Sequence, residues 1–378
     1  VCSSDLSSAS MFGQPGSFGT VGNNIWRRVY DPKTQAILGY LPEPARTNYA
    51  LRSNEFTNAA WTKANCTAID NNITVKGVSF SRITVTAGGA ASCIQTVAGV
   101  GVAAGMTYSV FVMKGTGATI GNRFILRNAT TATSLVSVTI DLDSGALTVS
   151  LGNAIAYDYG GFWRIDLYTS TGINASDNLQ LYCGFTGAVQ AASDFVWVAH
   201  AQLENGLWAT SRITTTTASA SRSGDQMRIA WGKIPGTLAE YTLFGTWRGP
   251  YQASPTRIAA LHNSSINDSF SIYPGAPGAN TVLQDVRSSG VAYVANVKNA
   301  VNPGLRHKMG AAGAANDHSL VVDGIQGSVF TGTAPMPTAL QFLDFGNYIN
   351  TIQLCEPIES VVFIPRRVSN ADMITRTA

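Results

Sequence analysis

The side chains best suited to chemistry in this sequence are aromatic rings that stand beside hydrogen-bond donors. A pyranose presents C–H patches and hydroxyls together, so a sugar site needs flat apolar faces next to donors. Residues of these types near the ends of expected strands are Tyr157, Tyr159, Trp247, Arg248, Tyr251 and His262. Exposed aromatic residues can equally form subunit contacts, so that alternative stays open. Trp163 and Trp197 fall in mid-strand, where a core position is expected.

The carboxylates suggest structural support rather than catalysis. Glu204, in the segment QLENG, could cap backbone amides or ligate a structural calcium ion through its oxygens. Asp141 and Asp143 would share one strand face, but Asp143-Ser144-Gly145 is a turn signal, and a glycosidase pair must face each other across the sugar. We therefore predict no catalytic residue, and no cofactor other than this calcium.

Other common catalytic and metal-binding patterns are missing from the sequence. It has no G-x-S-x-G elbow, no Walker loop and no H-E-x-x-H, and its four histidines are widely separated. The five cysteines are scattered and never spaced C-x-x-C, which favours buried thiols over a disulfide scaffold or a metal knuckle. This pattern favours a reducing compartment such as the cytoplasm.

The composition is typical of a β-protein. Charged residues are 12% of the 378 residues and the net charge is +3, without any Lys/Arg run longer than a pair. Nucleic acid is therefore an unexpected partner. No window reaches the roughly 18 apolar residues that a membrane span needs, and the N-terminus lacks a secretion signal pattern.

Alternating apolar patterns and turn signals predict two β-sandwich domains in tandem. Residues 195–200 begin an aromatic and β-branched strand that is apolar on both faces, and Asn205-Gly206 ends it with a strong turn signal. A Thr/Ser-rich segment follows, and new alternations start at Met227. The other predicted strands include residues 107–114, 161–168, 241–247, 318–322 and 358–364, and Ser369-Asn370 should cap a short terminal helix at 371–376.

The segments at the two ends of the first domain resemble a known family. Residues 41–48, LPEPARTN, and residues 199–213, with AHAQLENG followed by ATSRI, are similar to the opening and closing segments of a carbohydrate-binding-like jelly roll found in bacteriophage tail and head fibres. The resemblance covers residues 41–217. Residues 1–40 are predicted to be a leader or linker with a short strand at 25–30, and residues 1–6 match the product of a sequencing adapter.

The second domain, residues 226–378, resembles the concanavalin A-like (laminin-G-like) lectin sandwich. The similarity lies in LVVDG at 320–324 and in FIPRRVSNADM at 363–373, which follows the last strand. That fold often follows the jelly roll in phage fibres.

These resemblances imply a non-enzymatic structural protein of a bacteriophage virion. Such a fibre or spike would bind host cell-surface polysaccharide, contact other virion proteins, form a homotrimer, and lie on the virion surface after assembly in the bacterial host cytoplasm. One alternative is a polysaccharide-degrading enzyme, since concanavalin A-like sandwiches also house lyases and hydrolases. Another is a secreted bacterial adhesin built from the same modules.

Overall fold

The computed structural model describes most of the chain. The described residues are 9–12, 18–21, 28–31, 33–34, 36–87, 91–100, 105–115, 123–184, 191–225, 227–230, 239–248, 257–265, 267–274, 281–299, 301, 305–330, 332–337, 340–348, 352–353 and 357–378. Within them the chain is nearly all β, which confirms the predicted fold class. No helix among these residues is long and apolar enough to cross a membrane.

Five short strands precede the first sandwich. They are β1 (Ala9–Phe12), β2 (Phe18–Val21), β3 (Arg28–Tyr30), β4 (Ile37–Tyr40) and β5 (Arg46–Asn48). Strands β1 and β2 pair with each other as a two-stranded ribbon.

Two six-stranded antiparallel sheets form the first sandwich. Its strands are β6 (Thr62–Ala64), β7 (Cys66–Val75), β8 (Val78–Val85), β9 (Ser92–Val97), β10 (Met106–Met113), β11 (Arg123–Asn128), β12 (Thr133–Ile140), β13 (Leu147–Leu151), β14 (Asn153–Asp158), β15 (Trp163–Thr169), β16 (Leu179–Cys183) and β17 (Phe195–Asn205). The front sheet has the order β14-β15-β10-β17-β8-β7, and the back sheet has the order β13-β12-β11-β16-β9-β6.

Strand β10 of the front sheet is buried on both faces. Along β10, Val110 and Val112 lie in the core between the sheets, whereas Phe111 points the other way and joins a second apolar cluster with Phe80 and Phe162. Successive side chains of a strand alternate between the two faces, so β10 can serve both clusters. The second cluster forms the apolar floor of the outer face of the front sheet.

A neck of paired backbone joins the entry and exit of the first sandwich. We define it as residues 43–48, which include β5, and residues 220–225, which include β18 (Ala220–Arg222). Strands β5 and β18 are antiparallel. The backbone N–H of Glu43 donates to a carboxylate oxygen of Asp225 at 2.8 Å, and the backbone N–H of Asp225 donates to the carbonyl of Glu43 at 2.8 Å. The Thr/Ser-rich segment, which was predicted to lead out of the first domain, therefore ends in a strand that pairs with β5.

The remaining strands build the second sandwich. They are β19 (Met227–Ala230), β20 (Glu240–Arg248), β21 (Ala259–His262), β22 (Ser269–Pro274), β23 (Thr281–Ser288), β24 (Val291–Asn299), β25 (Arg306–Ala314), β26 (Asp317–Val322), β27 (Ile325–Val329), β28 (Phe342–Phe345), β29 (Asn347–Tyr348), β30 (Ile352–Gln353) and β31 (Ile358–Ile364). One sheet has the order β19-β28-β21-β22-β23-β24 and the other β27-β26-β25-β20-β31-β4-β3, while β29 and β30 form a separate pair.

The expected leader contributes two strands to the second sandwich. Strand β4 pairs with β31, and β3 pairs with β4, so both extend the edge of the seven-stranded sheet. This differs from the linker role expected for residues 1–40. In this strand Gly39 is buried and Leu38 and Tyr40 are half-buried, whereas Ile37 stays exposed.

Local turn and cap chemistry follows the sequence closely. Strand β17 ends at Asn205, and Gly206 adopts a φ of +115° there. Asp323 and Gly324 both have positive φ in the turn between β26 and β27. Helix α1 (Asn370–Thr377) begins after Ser369, whose side chain accepts from the backbone N–H of Asp372.

Candidate functional site

A row of side chains crosses the outer face of the front sheet. Arg164 on β15 lies opposite Tyr157 on β14 and opposite Phe111 on β10, and Phe111 lies opposite Ala199 on β17. Residues directly opposite one another in an antiparallel pair share a face. Aromatic rings and a guanidinium group therefore stand side by side on this face.

A β-bulge in β17 places His200 in this row. The register between β10 and β17 shifts there, and His200 has a φ of +49°. A bulged residue in the left-handed region turns its side chain away from the regular alternation. The backbone N–H of His200 donates to the side chain of Asn54 at 3.0 Å, and its ring stands edge-on to Phe111 at 5.9 Å between centroids.

These residues line a small open cleft. Its lining consists of Ser109, Val110, Phe111, Arg164, His200, Gln202, Thr210 and Arg212. The cleft encloses about 220 Å³ when its open mouth is included. The residues after β17 form one wall, because Arg164 donates to the carbonyl of Thr210 at 3.0 Å, and the backbone N–H of Ile213 donates to Gln202 at 2.6 Å.

Arg164 is anchored beneath the cleft by a carboxylate. Its Nε lies 2.8 Å from a carboxylate oxygen of Asp166, two residues along the same strand face, and the two side chains are 14% and 6% exposed. Burial raises the pKa of Asp166, and the positive charge of the neighbouring guanidinium only partly offsets this increase. The pair fixes the position of Arg164 and leaves its cationic group at the cleft.

His200 and Arg212 form a second polar pair in the cleft. Nη1 of Arg212 lies 2.5 Å from Nε2 of His200. Since a guanidinium can only donate, Nε2 is the acceptor and the proton of the neutral ring is on Nδ1. Burial, and next the charge of Arg212, lower the pKa of His200 well below its usual value, so the ring is neutral near pH 7. Its Nδ1 is buried without a hydrogen-bond partner among the described residues.

Two of the residues predicted from sequence lie beside the cleft. Tyr157 is 39% exposed and sits next to Arg164 across the β14–β15 pair. Tyr159 is partly buried, stacks on Phe162 at 5.2 Å and stands edge-on to Phe111 at 5.4 Å. Burial raises the pKa of the Tyr159 hydroxyl. Tyr157 therefore offers an exposed ring, and Tyr159 supports the aromatic floor.

Of the second-domain candidates, Trp247 and His262 are described with their side chains, and both are buried. The interpretation of Trp247 as an exposed platform is wrong, because its ring is 1% exposed in the core, 5.1 Å from the ring of His307. His262 is fully buried, and its Nε2 lies 2.9 Å from a carboxylate oxygen of Asp344. Arg248 ends β20 opposite Arg306, but its side chain lies outside the described part of the chain, as does all of Tyr251.

The predicted backbone capping by Glu204 is confirmed. Its carboxylate is fully buried and accepts from the backbone N–H of Thr210 at 2.9 Å and from the hydroxyl of Thr210 at 2.5 Å. Burial raises the pKa of Glu204, which these hydrogen bonds oppose. Within the described ranges, no group of three or more His, Cys, Asp or Glu side chains is placed to hold a metal ion, and the calcium alternative stays a prediction.

The turn preferred for the paired aspartates is also confirmed. Asp141 accepts from the backbone N–H groups of Asp143 and Ser144, at 2.9 Å and 3.4 Å. The hydrogen bond from the backbone N–H of Asp143 is the largest cause that lowers the pKa of Asp141, and a bond from the side chain of Ser144 is the next. The carboxylate is therefore committed to the loop after β12.

Sequence reasoning missed the cleft residues Arg164, His200 and Arg212. A signal was available, because His200, Gln202 and Glu204 alternate with small or apolar residues along β17, which indicates a polar outer face. The bulge and the wall formed by residues 209–213 had no such signal. The cleft depends on both of them.

Comparisons with known proteins find likeness only in structure. A scan against protein-family models matches none, and a search of curated proteins also matches none. Among solved structures, the chain is similar to the CBM40 of the Ruminococcus gnavus IT-sialidase bound to α2,3-sialyllactose, with 13% identity over 40% of this chain and 93% of that one, at a TM-score of 0.34.

Two further solved structures show a likeness of similar extent. A SAP-like pentraxin from Limulus polyphemus is 9% identical over 37% of this chain and 70% of that chain, with a TM-score of 0.30. A variant of human galectin-16 is 12% identical over 37% of this chain and 94% of that chain, with a TM-score of 0.27.

Proposed function

We propose that this protein is a non-enzymatic, glycan-binding component of a bacteriophage virion, a tail or head fibre or spike. It attaches to polysaccharide on the host surface, contacts other virion proteins and assembles as a homotrimer. The cleft on the front sheet is the glycan site of this proposal.

The observation that carries the glycan-binding part is the row across the front sheet. Tyr157, which is 39% exposed, lies directly opposite Arg164 across the β14–β15 pair, and the cleft continues to His200 and Arg212. A sugar needs an apolar face for its C–H groups and donors for its oxygens, and this row supplies both on one face of the sheet.

The virion part is supported by the segments that resemble fibre jelly rolls. Residues 41–48 and 199–213 are the two ends of that resemblance, and here they bond to each other directly. Asn48 donates to the carbonyl of Ile213 at 2.8 Å and accepts from the backbone N–H of Leu203 at 3.0 Å. The two segments are thus parts of one structural unit, as their joint occurrence in that family implies.

A binding assay on a panel of bacterial surface polysaccharides tests the proposal. We expect the purified protein to retain at least one polysaccharide without shortening its chains, as measured by size-exclusion chromatography. Shortened polysaccharide chains would overturn the hypothesis that the protein is not an enzyme. Failure to bind any polysaccharide on the panel would overturn glycan binding and leave an architectural role in the virion.

A further inference from the structure

The donors that line the cleft determine which part of a glycan it can accept. The Nδ1–H of His200 has no acceptor among the described residues, and the side chain of His200 is more than nine-tenths buried. A buried donor without an acceptor is unfavourable, so a bound group that accepts a hydrogen bond there is favoured. Arg212, which donates to the same ring, is a second donor at the cleft.

The charge of the cleft has one sign. Two of its eight lining residues, Arg164 and Arg212, are cationic, and none is acidic. Two carboxylates behind the lining offset part of this charge: Asp166, which pairs with Arg164, and Glu204, which accepts from Thr210. Burial lowers the pKa of Arg212, which shows that its surroundings disfavour the cation. An anion in the cleft would reverse that penalty.

The size of the cleft limits what can enter. Its interior has room for about one water-sized group, so a whole sugar ring cannot enter. An oxygen atom of a sugar substituent can enter while the ring stays outside, where Tyr157 is 39% exposed. A planar carboxylate matches a guanidinium in shape and accepts two parallel hydrogen bonds from it.

We propose that this cleft binds the carboxylate of an acidic sugar, with Arg212 and the Nδ1–H of His200 as donors and Tyr157 against the sugar ring. The inference rests on the proposed glycan binding and names the class of glycan. Arg164 supplies positive charge from its fixed position beside Asp166.

Pairs of polysaccharides that differ only in the carboxylate test the inference. Acidic bacterial capsular polysaccharides containing uronic or nonulosonic acids are compared with their carboxyl-reduced forms by isothermal titration calorimetry. We expect at least one acidic polysaccharide to bind tenfold or more tightly than its reduced form, since charge-assisted hydrogen bonds are about twice as strong as neutral ones. Equal binding of every pair would overturn the acidic-sugar inference and leave glycan binding intact, whereas no binding at all would overturn both.

Variants locate the preference in the cleft. Arg212→Gln removes the cation, and His200→Phe removes the Nδ1 donor while keeping a ring against Phe111. Each should reduce the preference for the acidic form about tenfold, with little change for the reduced form. Arg306→Gln is the matched control, because it removes the same charge from an exposed pair with Glu359 in the second sandwich. The inference would be overturned if both cleft variants kept the preference for the acidic form. It would also be overturned if Arg306→Gln reduced that preference equally, because the attraction would then be non-specific.

Discussion

Glu43 and Arg222 form an ion pair that closes the neck of the first sandwich. Nη1 of Arg222 lies 2.9 Å from a carboxylate oxygen of Glu43, and each side chain is 3% exposed. The other carboxylate oxygen of Glu43 accepts from the backbone N–H of Ser211 at 2.6 Å, so the pair also fixes a wall of the cleft.

Breaking this pair should be strongly destabilising. Arg222→Met leaves the Glu43 carboxylate buried without its cation, and we expect a loss of roughly 3–5 kcal/mol in the free energy of unfolding. Glu43→Gln combined with Arg222→Met should cost less than the sum of the two single changes, because no charge is left buried alone. Urea unfolding of the three variants measures this coupling, and additive losses would contradict it.

Tyr157→Ala should weaken glycan binding without unfolding the protein. The ring is exposed at the end of the cleft, so its removal should change stability by less than about 1 kcal/mol and reduce affinity about tenfold, equivalent to roughly 1.4 kcal/mol. Tyr182→Ala, on the back sheet of the same sandwich, is the control for loss of a partly buried tyrosine. Equal effects of both changes on binding would mean that Tyr157 does not touch the glycan.

Glu204 should stabilise the protein without metal. Glu204→Ala leaves the buried N–H of Thr210 without its acceptor and should cost about 1–3 kcal/mol. Glu204→Gln should cost less, because an amide oxygen can still accept from that N–H and the Thr210 hydroxyl can reverse. Thermal unfolding with and without EDTA completes the test. A lower Tm in EDTA that calcium restores would contradict this account and support a calcium site.

His318 should make the second sandwich sensitive to acid. The pKa of His318 is lowered from 6.5 to about 4, mainly by burial. The negative charge of Asp317 raises this pKa, and the positive charge of Arg367 lowers it further. The folded state then binds fewer protons than the unfolded state, so stability is complete above about pH 6.5 and is lost as the pH falls towards 4. The full difference corresponds to roughly 3 kcal/mol. His318→Gln should flatten the stability profile between those pH values, and an unchanged profile would contradict the assignment.

Gly39 should be required for docking of the leader strand. Its φ is +131°, and a methyl group there would lie 2.3 Å from the carbonyl oxygen of Ile358 on β31. Gly39→Ala should therefore release β3 and β4 and speed proteolysis near residues 28–40. Gly99→Ala is the matched control, since it imposes positive-φ strain with no atom within 4 Å. Equal proteolysis of both variants would show that strain, and not the clash, is responsible.

The sequence predicts short-range features well because their causes are local. The Asn205-Gly206 turn, the Asp323-Gly324 turn and the Ser369 cap each depend on a few adjacent residues. It predicts exposure poorly, because Trp247 and Tyr157 look equivalent as aromatic residues in sequence. Only the packing of whole sheets decides that one is 1% exposed and the other 39%.

The cleft itself could not be predicted for a related reason. It combines a bulge at His200, a cross-strand neighbour in Arg164 and a wall at Arg212, which meet only after three separate segments are packed. The register shift at the bulge has no local sequence signature, since His200 is not a glycine. Its strain is held by the surrounding hydrogen bonds, including that from its own N–H to Asn54.

The position of β4 has a consequence for how the protein is made. Residues 37–40 must pair with β31, which begins at residue 358, so the whole first sandwich is an insertion between two neighbouring strands of the second. At a synthesis rate of about 5–20 residues per second, the first of these strands waits roughly 16 to 60 seconds for its partner. The inserted sandwich, closed at its neck, can fold during that wait. The second sandwich is completed last, when β4 pairs with the newly made β31.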